Sequence, residues 1–123
     1  MLNCKNKILG RLSAIVVKIL IGKYNIFYSP NIINGDNIIL ININKILINN
    51  KKKKYISYSG YPSGKKIKTF NYFLKKNPKK ILLHSILGMI KNNKLKKNIK
   101  KNIYLYLSKE KFFMNNIKLI KIN

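Results

Sequence analysis

Ile38-Ile39-Leu40-Ile41-Asn42-Ile43 is a nearly continuous apolar run, aliphatic at five of its six positions and β-branched at four. A strand that meets water on one face alternates apolar and polar side chains. A run without alternation therefore reads as a strand in a sheet covered on both faces. What lies on either side of this run decides what covers it.

Upstream, Leu9, Leu12, Ile15, Val16, Ile19 and Leu20 fall at helical spacing, which predicts an amphipathic helix. Gly22 suits its left-handed C-terminal cap, and Lys23 sits beside the negative helix end. Residues 1–8 fit a terminal strand or an arm. Residues 24–37 read as loop, with Ser29-Pro30 and the turn signal Asn34-Gly35-Asp36. Downstream, Ile46–Ile48 is a further apolar piece, Lys51–Lys54 a loop or strand edge, and Tyr55–Tyr58 a short strand. Ser59-Gly60-Tyr61-Pro62-Ser63-Gly64 is the plainest loop in the chain. Thr69 is placed to cap a short helix carrying Phe70, Phe73 and Leu74.

Asn77-Pro78 starts a longer helix, with Ile81, Leu82, Ser85, Ile86, Met89 and Ile90 at helical spacing. A basic helix over 94–101 is anchored by Leu95 and Ile99. Ile103–Leu107 reads as a late strand and Ile117–Ile122 as an alternating tail. Strands separated by helices, with no repeat or linker, predict a single α/β domain over residues 1–123. It has a short N-terminal arm and a C-terminal tail from about 108.

The charge narrows the function. Lys and Arg number 27 against two acidic residues, Asp36 and Glu110, for a formal net charge of +25. A compact domain with that charge repels itself unless a polyanion neutralises it. Nucleic acid is the natural partner, since lysines on phosphates release condensed counterions. Ile, Lys and Asn codons can be written with A and T alone, so compositional drift accounts for a large share of the lysines and nearly all of the asparagines. Drift explains the scarcity of acids less well.

One cysteine, Cys4, leaves no disulfide framework and no Cys-based zinc site within one chain. The longest apolar stretches, interrupted by Lys18 and Asn42, fall short of the roughly 20 residues of a membrane span. MLNCKNKILG at the start lacks the apolar centre of a secretory signal, so the protein is expected to work where it is made.

Catalysis needs groups that exchange protons, attack or hold a metal. Here one His, one Cys and two acids lie far apart in sequence. His84, beside the apolar stripe of its helix, reads as a core or helix-surface residue, and Asp36 as a turn residue bonding backbone amides. Gly60 to Lys66 superficially resembles a phosphate loop, but the spacing is one residue short and Lys66 stands where Ser or Thr should hold magnesium. The expectation is no enzyme, no cofactor, no metal and no small-molecule substrate. What remains is lysine clusters (51–54, 65–68, 75–80, 91–101) with Tyr55, Tyr58 and Tyr61 between the first two. That combination grips folded RNA, rings on unpaired bases and ammonium groups on phosphates. Each tyrosine taken singly reads first as packing, and Tyr61 is the best exception because its loop holds it in the open.

An ordered set of short pieces resembles a known family: Leu9-Gly10-Arg11-Leu12-Ser13, Gly22-Lys23, Tyr28-Ser29-Pro30, Gly35-Asp36, Ile41-Asn42, Lys45-Ile46, Ser59 to Gly64, Pro78, Gly88-Met89-Ile90 and Asn93-Lys94-Leu95. Together they are similar to ribosomal protein L-thirteen of the large subunit, over about Leu9 to Leu107. The resemblance implies a mixed, mostly parallel sheet of about four strands flanked by helices. It also implies binding to large-subunit rRNA beside neighbouring ribosomal proteins, an early place in assembly, and no enzymatic activity.

Carried onto this chain, the family's basic loop and helix give Lys51, Lys52, Tyr61, Lys65, Lys94 and Lys97 as expected RNA contacts. Lys23 and Lys66, in or beside the matched pieces, join them. Arg11, the only arginine, reads either as a fork onto phosphate or as part of a packed helix start. Departures are Tyr58 in place of the family's His, Lys91-Asn92 in place of Pro-Lys, about three residues fewer near Lys53, a shorter N-terminus, and Ser108–Phe113 where His-Pro-His is usual. The expected location is a ribosome in the cytoplasm of a reduced, A+T-rich bacterium, or else an organelle. Rival readings are a general nucleic-acid binder outside the ribosome, a cationic membrane-active protein and a basic nuclease.

Overall fold

In the computed structural model, which describes residues 1–48 and 54–108, the apolar run supplies the middle strand of a parallel sheet. β2 (Ile38–Ile41) lies between β1 (Leu2–Asn3) and β5 (Ile103–Leu105). Leu40 pairs with Leu2 on one side and Leu105 on the other. All four residues of β2 are buried, as a central strand in a doubly covered sheet must be.

β2 is shorter than the run that announced it. Asn42 adopts φ 57°, ψ 40°, a left-handed conformation that asparagine tolerates and its β-branched neighbours do not. Its Nδ2 donates to Asn3 Oδ1 at 3.0 Å. The chain then enters a 3-10 turn over Ile43–Lys45, with Ile43 still in the core. Pairing resumes at Leu47, which bridges Ile8 in parallel. The late strand likewise ends at Leu105 instead of Leu107, although the Tyr106 N–H still donates to Leu40 O at 2.9 Å.

α1 (Leu9–Ile21) buries Leu9, Leu12, Ser13, Val16, Val17 and Leu20. Ile15, expected on the stripe, is exposed instead. At 100° per residue the buried face centres on Leu9, Leu12–Ser13, Val16–Val17 and Leu20, which puts Ile15 off its edge. Gly22 closes the helix at φ 76°, its N–H donating to Ile19 O at 3.0 Å and that of Lys23 to Lys18 O at 3.0 Å.

α1 packs on α3 (Pro78–Gly88). Between them the fully buried Ser13 Oγ donates to Leu9 O at 2.8 Å and lies 2.9 Å from Ser85 Oγ. These two small side chains thus satisfy each other inside an otherwise aliphatic contact formed with Val16, Leu82 and Ile86. α2 (Phe70–Lys76) and α4 (Leu95–Lys101) add Phe70 and Ile99 to the same core.

Helix starts fall where the sequence places them, but without the expected side-chain caps. Neither Thr69 nor Asn77 makes a side-chain cap; the expected proline does stand in the first turn of α3, where it supplies the preset φ. α3 also stops before Met89, which is the C-cap and is half exposed, while Ile90 returns to the core.

The expected α/β architecture holds, with parallel and antiparallel pairing carried by two sheets. The second is a ribbon of β3 (Lys54–Tyr58) and β4 (Lys65–Thr69). β4 was not foreseen: Lys65-Lys66-Ile67-Lys68-Thr69 has one apolar residue and every position is exposed, so no burial pattern marks it as a strand.

Cys4 is fully buried, and burial pushes its thiol up to about 11. The folded chain should therefore resist iodoacetamide at pH 8 and react once denatured; fast labelling of the folded chain would contradict this placement. Because the folded pKa lies above the ordinary thiol value, the stabilisation is complete below that value and is lost as pH rises through about 11.

Candidate nucleic-acid interface

The ribbon presents the clearest cationic feature. Cross-strand pairs share a face, so Tyr58–Lys65, Ile56–Ile67 and Lys54–Thr69 lie on one side, and Ser57–Lys66 and Tyr55–Lys68 on the other. The first side is open: Ile56 and Ile67 are 52% and 51% exposed. The second turns toward the helices, because Tyr55 meets Phe73 of α2 at 5.5 Å and His84 of α3 at 5.3 Å, both edge to face. A lone two-stranded ribbon is marginal in water, and these ring contacts help fasten it to the domain.

Its turn holds Tyr61 in the open, 80% exposed. The Ser59 N–H donates to Gly64 O at 3.1 Å and the Gly64 N–H to Tyr61 O at 2.9 Å. Any Cβ at Gly64 would run into Ser59 Oγ and Tyr61 O, so the tight return needs glycine there. The segment from Gly60 to Lys66 joins two antiparallel strands. A phosphate loop joins a strand to a helix, so the likeness to one ends in the geometry. Tyr55 packs, as expected of a tyrosine taken singly, but Tyr58 is nearly as open as Tyr61.

The other expected contacts fall into separate places. Lys23, just past the α1 cap, lines a groove with Tyr28, Met89, Lys91, Asn93 and Leu95. Lys94 is the N-cap of α4, where the Lys96 N–H reaches Asn93 Oδ1 at 3.2 Å, and Lys97 is exposed on that helix. Arg11 is exposed on the first turn of α1, in a concavity shared with Asn3, Asn6 and Lys7. Thus the structure gathers Tyr61, Lys65 and Lys66 on the ribbon and Lys23 with the start of α4, and sets Arg11 apart from both. Lys51 and Lys52 lie outside the described residues, as does the tail from 109.

Two features escaped the sequence reading. Asparagines ascribed to drift have local work: Asn25 Nδ2 donates to Asn34 O at 2.7 Å and Asn34 Nδ2 to Phe27 O at 2.9 Å. Those bonds brace the loop over 24–37, a duty expected of Asp36, which is exposed. The braced loop displays Ile26 and Phe27, 95% and 86% exposed. A pair of adjacent apolar residues inside a segment read as loop was the available signal.

Among the described residues no helix is long and apolar enough to cross a membrane. The family description "Ribosomal protein L13" matches residues 1–111, starting earlier than the Leu9 expected. The chain is 39% identical to the large ribosomal subunit protein uL13 of Mycoplasmopsis synoviae (strain 53) over 111 residues, covering 88% of this chain and 77% of the relative. It is 41% identical to the protein of the same name from Mesomycoplasma hyopneumoniae (strain 7448), covering 89% and 78%. For that of Pelotomaculum thermopropionicum the identity is 36% over 112 residues, with the same coverage as for Mesomycoplasma. With a family match over nearly its whole length, on an α/β domain bearing a lysine-edged ribbon, this chain belongs to the ribosomal protein L13 family.

Proposed function

We propose that this protein is a structural constituent of the large ribosomal subunit that binds its rRNA and supports early assembly, without enzymatic activity of its own. Family membership carries the reading. The ribbon supports it: an exposed strand with three lysines and an open tyrosine at its turn suits a polyanion that supplies both phosphates and unpaired bases. The proposed RNA contacts are Tyr61, Lys65 and Lys66 on the ribbon, Lys23, Lys94 and Lys97 around α4, Arg11 on α1, and Lys51 and Lys52. The braced pair Ile26–Phe27 suits a neighbouring protein of the subunit, since an exposed apolar patch is a common mark of a protein interface. The A+T-type composition and the bacterial relatives support a ribosome in the cytoplasm of a reduced bacterium.

Sedimentation of a lysate from cells expressing the tagged chain tests the reading. The chain should run with large subunits and their precursors and leave them only at high salt. Recovery away from ribosomal particles even at low salt would favour the rival, a general nucleic-acid binder outside the ribosome.

A further inference from the structure

Between the ribbon and the helices lies a cleft of about 190 Å³, lined by Tyr55, Phe73 and His84 as aromatic walls, with Ile81. The three rings come from β3, α2 and α3, and the edge-to-face contacts of Tyr55 with the other two hold them together. Lys68 and Lys80 also line the opening. The Lys68 ammonium is held 5.4 Å from the Tyr72 ring centre and 5.9 Å from that of Phe73. The one acidic residue among the described ones, Asp36, sits on a different loop, so no described carboxylate meets these two cations within the cleft.

We propose that this cleft takes a single unstacked base of RNA, with its flanking phosphates on Lys68 and Lys80. The proposal rests on the RNA-binding reading above and names what one part of that surface recognises. Aromatic and apolar walls offer a base the faces and edges it loses on leaving the stack, while lysines at the mouth meet the backbone that must come with it. A duplex presents no free base face, so it engages the lysines and leaves the cleft empty. Stacking depends weakly on salt and phosphate contacts strongly, so the two contributions separate in a titration.

The test uses the full chain and two RNA hairpins identical except that 2-aminopurine is bulged in one and paired in the other. Wild type should bind the bulged hairpin about tenfold more tightly and quench its fluorescence. Tyr55→Leu and His84→Gln should each lower that preference while leaving the salt slope unchanged; Lys68→Gln with Lys80→Gln should lower the slope by roughly 1–2 units. A circular dichroism melt accompanies each variant, and His84→Gln, at an exposed side chain, carries the test if Tyr55→Leu does not fold. Equal wild-type affinity for the two hairpins, or a preference unmoved by His84→Gln, overturns the proposal. A preference abolished by Tyr61→Ala alone would assign the base to the turn and overturn it too. If the chain binds neither hairpin in the presence of polyphosphate competitor, the RNA reading itself fails.

Discussion

Gly35→Ala should destabilise the folded chain by about 3 kcal/mol or more, while Gly10→Ala, the same change in chemistry, should stabilise it by up to about 1 kcal/mol. The loop over 24–37 returns across the C-terminal end of α1, and at Gly35 its backbone lies directly on that end. A Cβ there would overlap the Leu20 carbonyl and crowd Ile19 O at 2.8 Å. Both obstacles are backbone atoms of a helix end already committed to the Gly22 cap, so neither can rotate aside. Relief requires moving the loop, and β2 begins only three residues later at Ile38. Gly10, by contrast, is helical and exposed, with nothing within 4 Å of its added Cβ. There alanine only reduces the freedom of the unfolded chain.

Total stability is of order 5–15 kcal/mol for a single domain, so the first change removes a large share of it. Chemical denaturation of the two variants in moderate salt, where self-repulsion is screened, measures the difference. Equal midpoints would mean that the loop does not sit against the helix end.

Replacing Lys65, Lys66, Lys94 and Lys97 by glutamine should lower the slope of log affinity against log salt by roughly three units for rRNA fragments. Near 0.1 M salt that amounts to a loss of about a thousandfold, since each phosphate contact releases its own counterion. The comparison is a second fourfold variant at Lys5, Lys18, Lys45 and Lys75, exposed positions outside the proposed contacts. It removes the same net charge and should change the long-range field without removing direct contacts. Its slope should fall by far less. Filter binding over a salt series reads both. Equal slopes would show that affinity follows the total of +25 and not the ribbon and α4, and would reject those four as contacts.

The two variants also separate placed charge from total charge. Codon drift can place lysines anywhere, but it cannot choose which of them stand beside an open tyrosine on a glycine-held turn. The asparagines show the converse. Counted as composition they looked idle, yet Asn42 takes the left-handed turn that ends β2, and Asn25 and Asn34 brace the loop that brings Gly35 onto α1. A frequent residue type still does specific work wherever the backbone needs a short amide side chain.

The residues by themselves determined the order and kind of most elements, the buried centre of the sheet, the sign of the partner's charge and the family. These depend on periodicity, on end signals such as Gly22 and Pro78, and on short ordered motifs, all of which are local. Only the tertiary structure decided that Lys65–Thr69 is a strand, that Val17 and not Ile15 faces the core, and that Tyr55, Phe73 and His84 meet in one cleft. β4 exists because it pairs with β3, and a strand exposed along its whole length has no burial pattern to announce it. The side of a helix that is buried is set by what packs on it, here α3 through Ser13 and Ser85. The ring cluster draws on residues up to 29 positions apart, and no spacing rule connects a strand to two helices until the ribbon has folded back onto them.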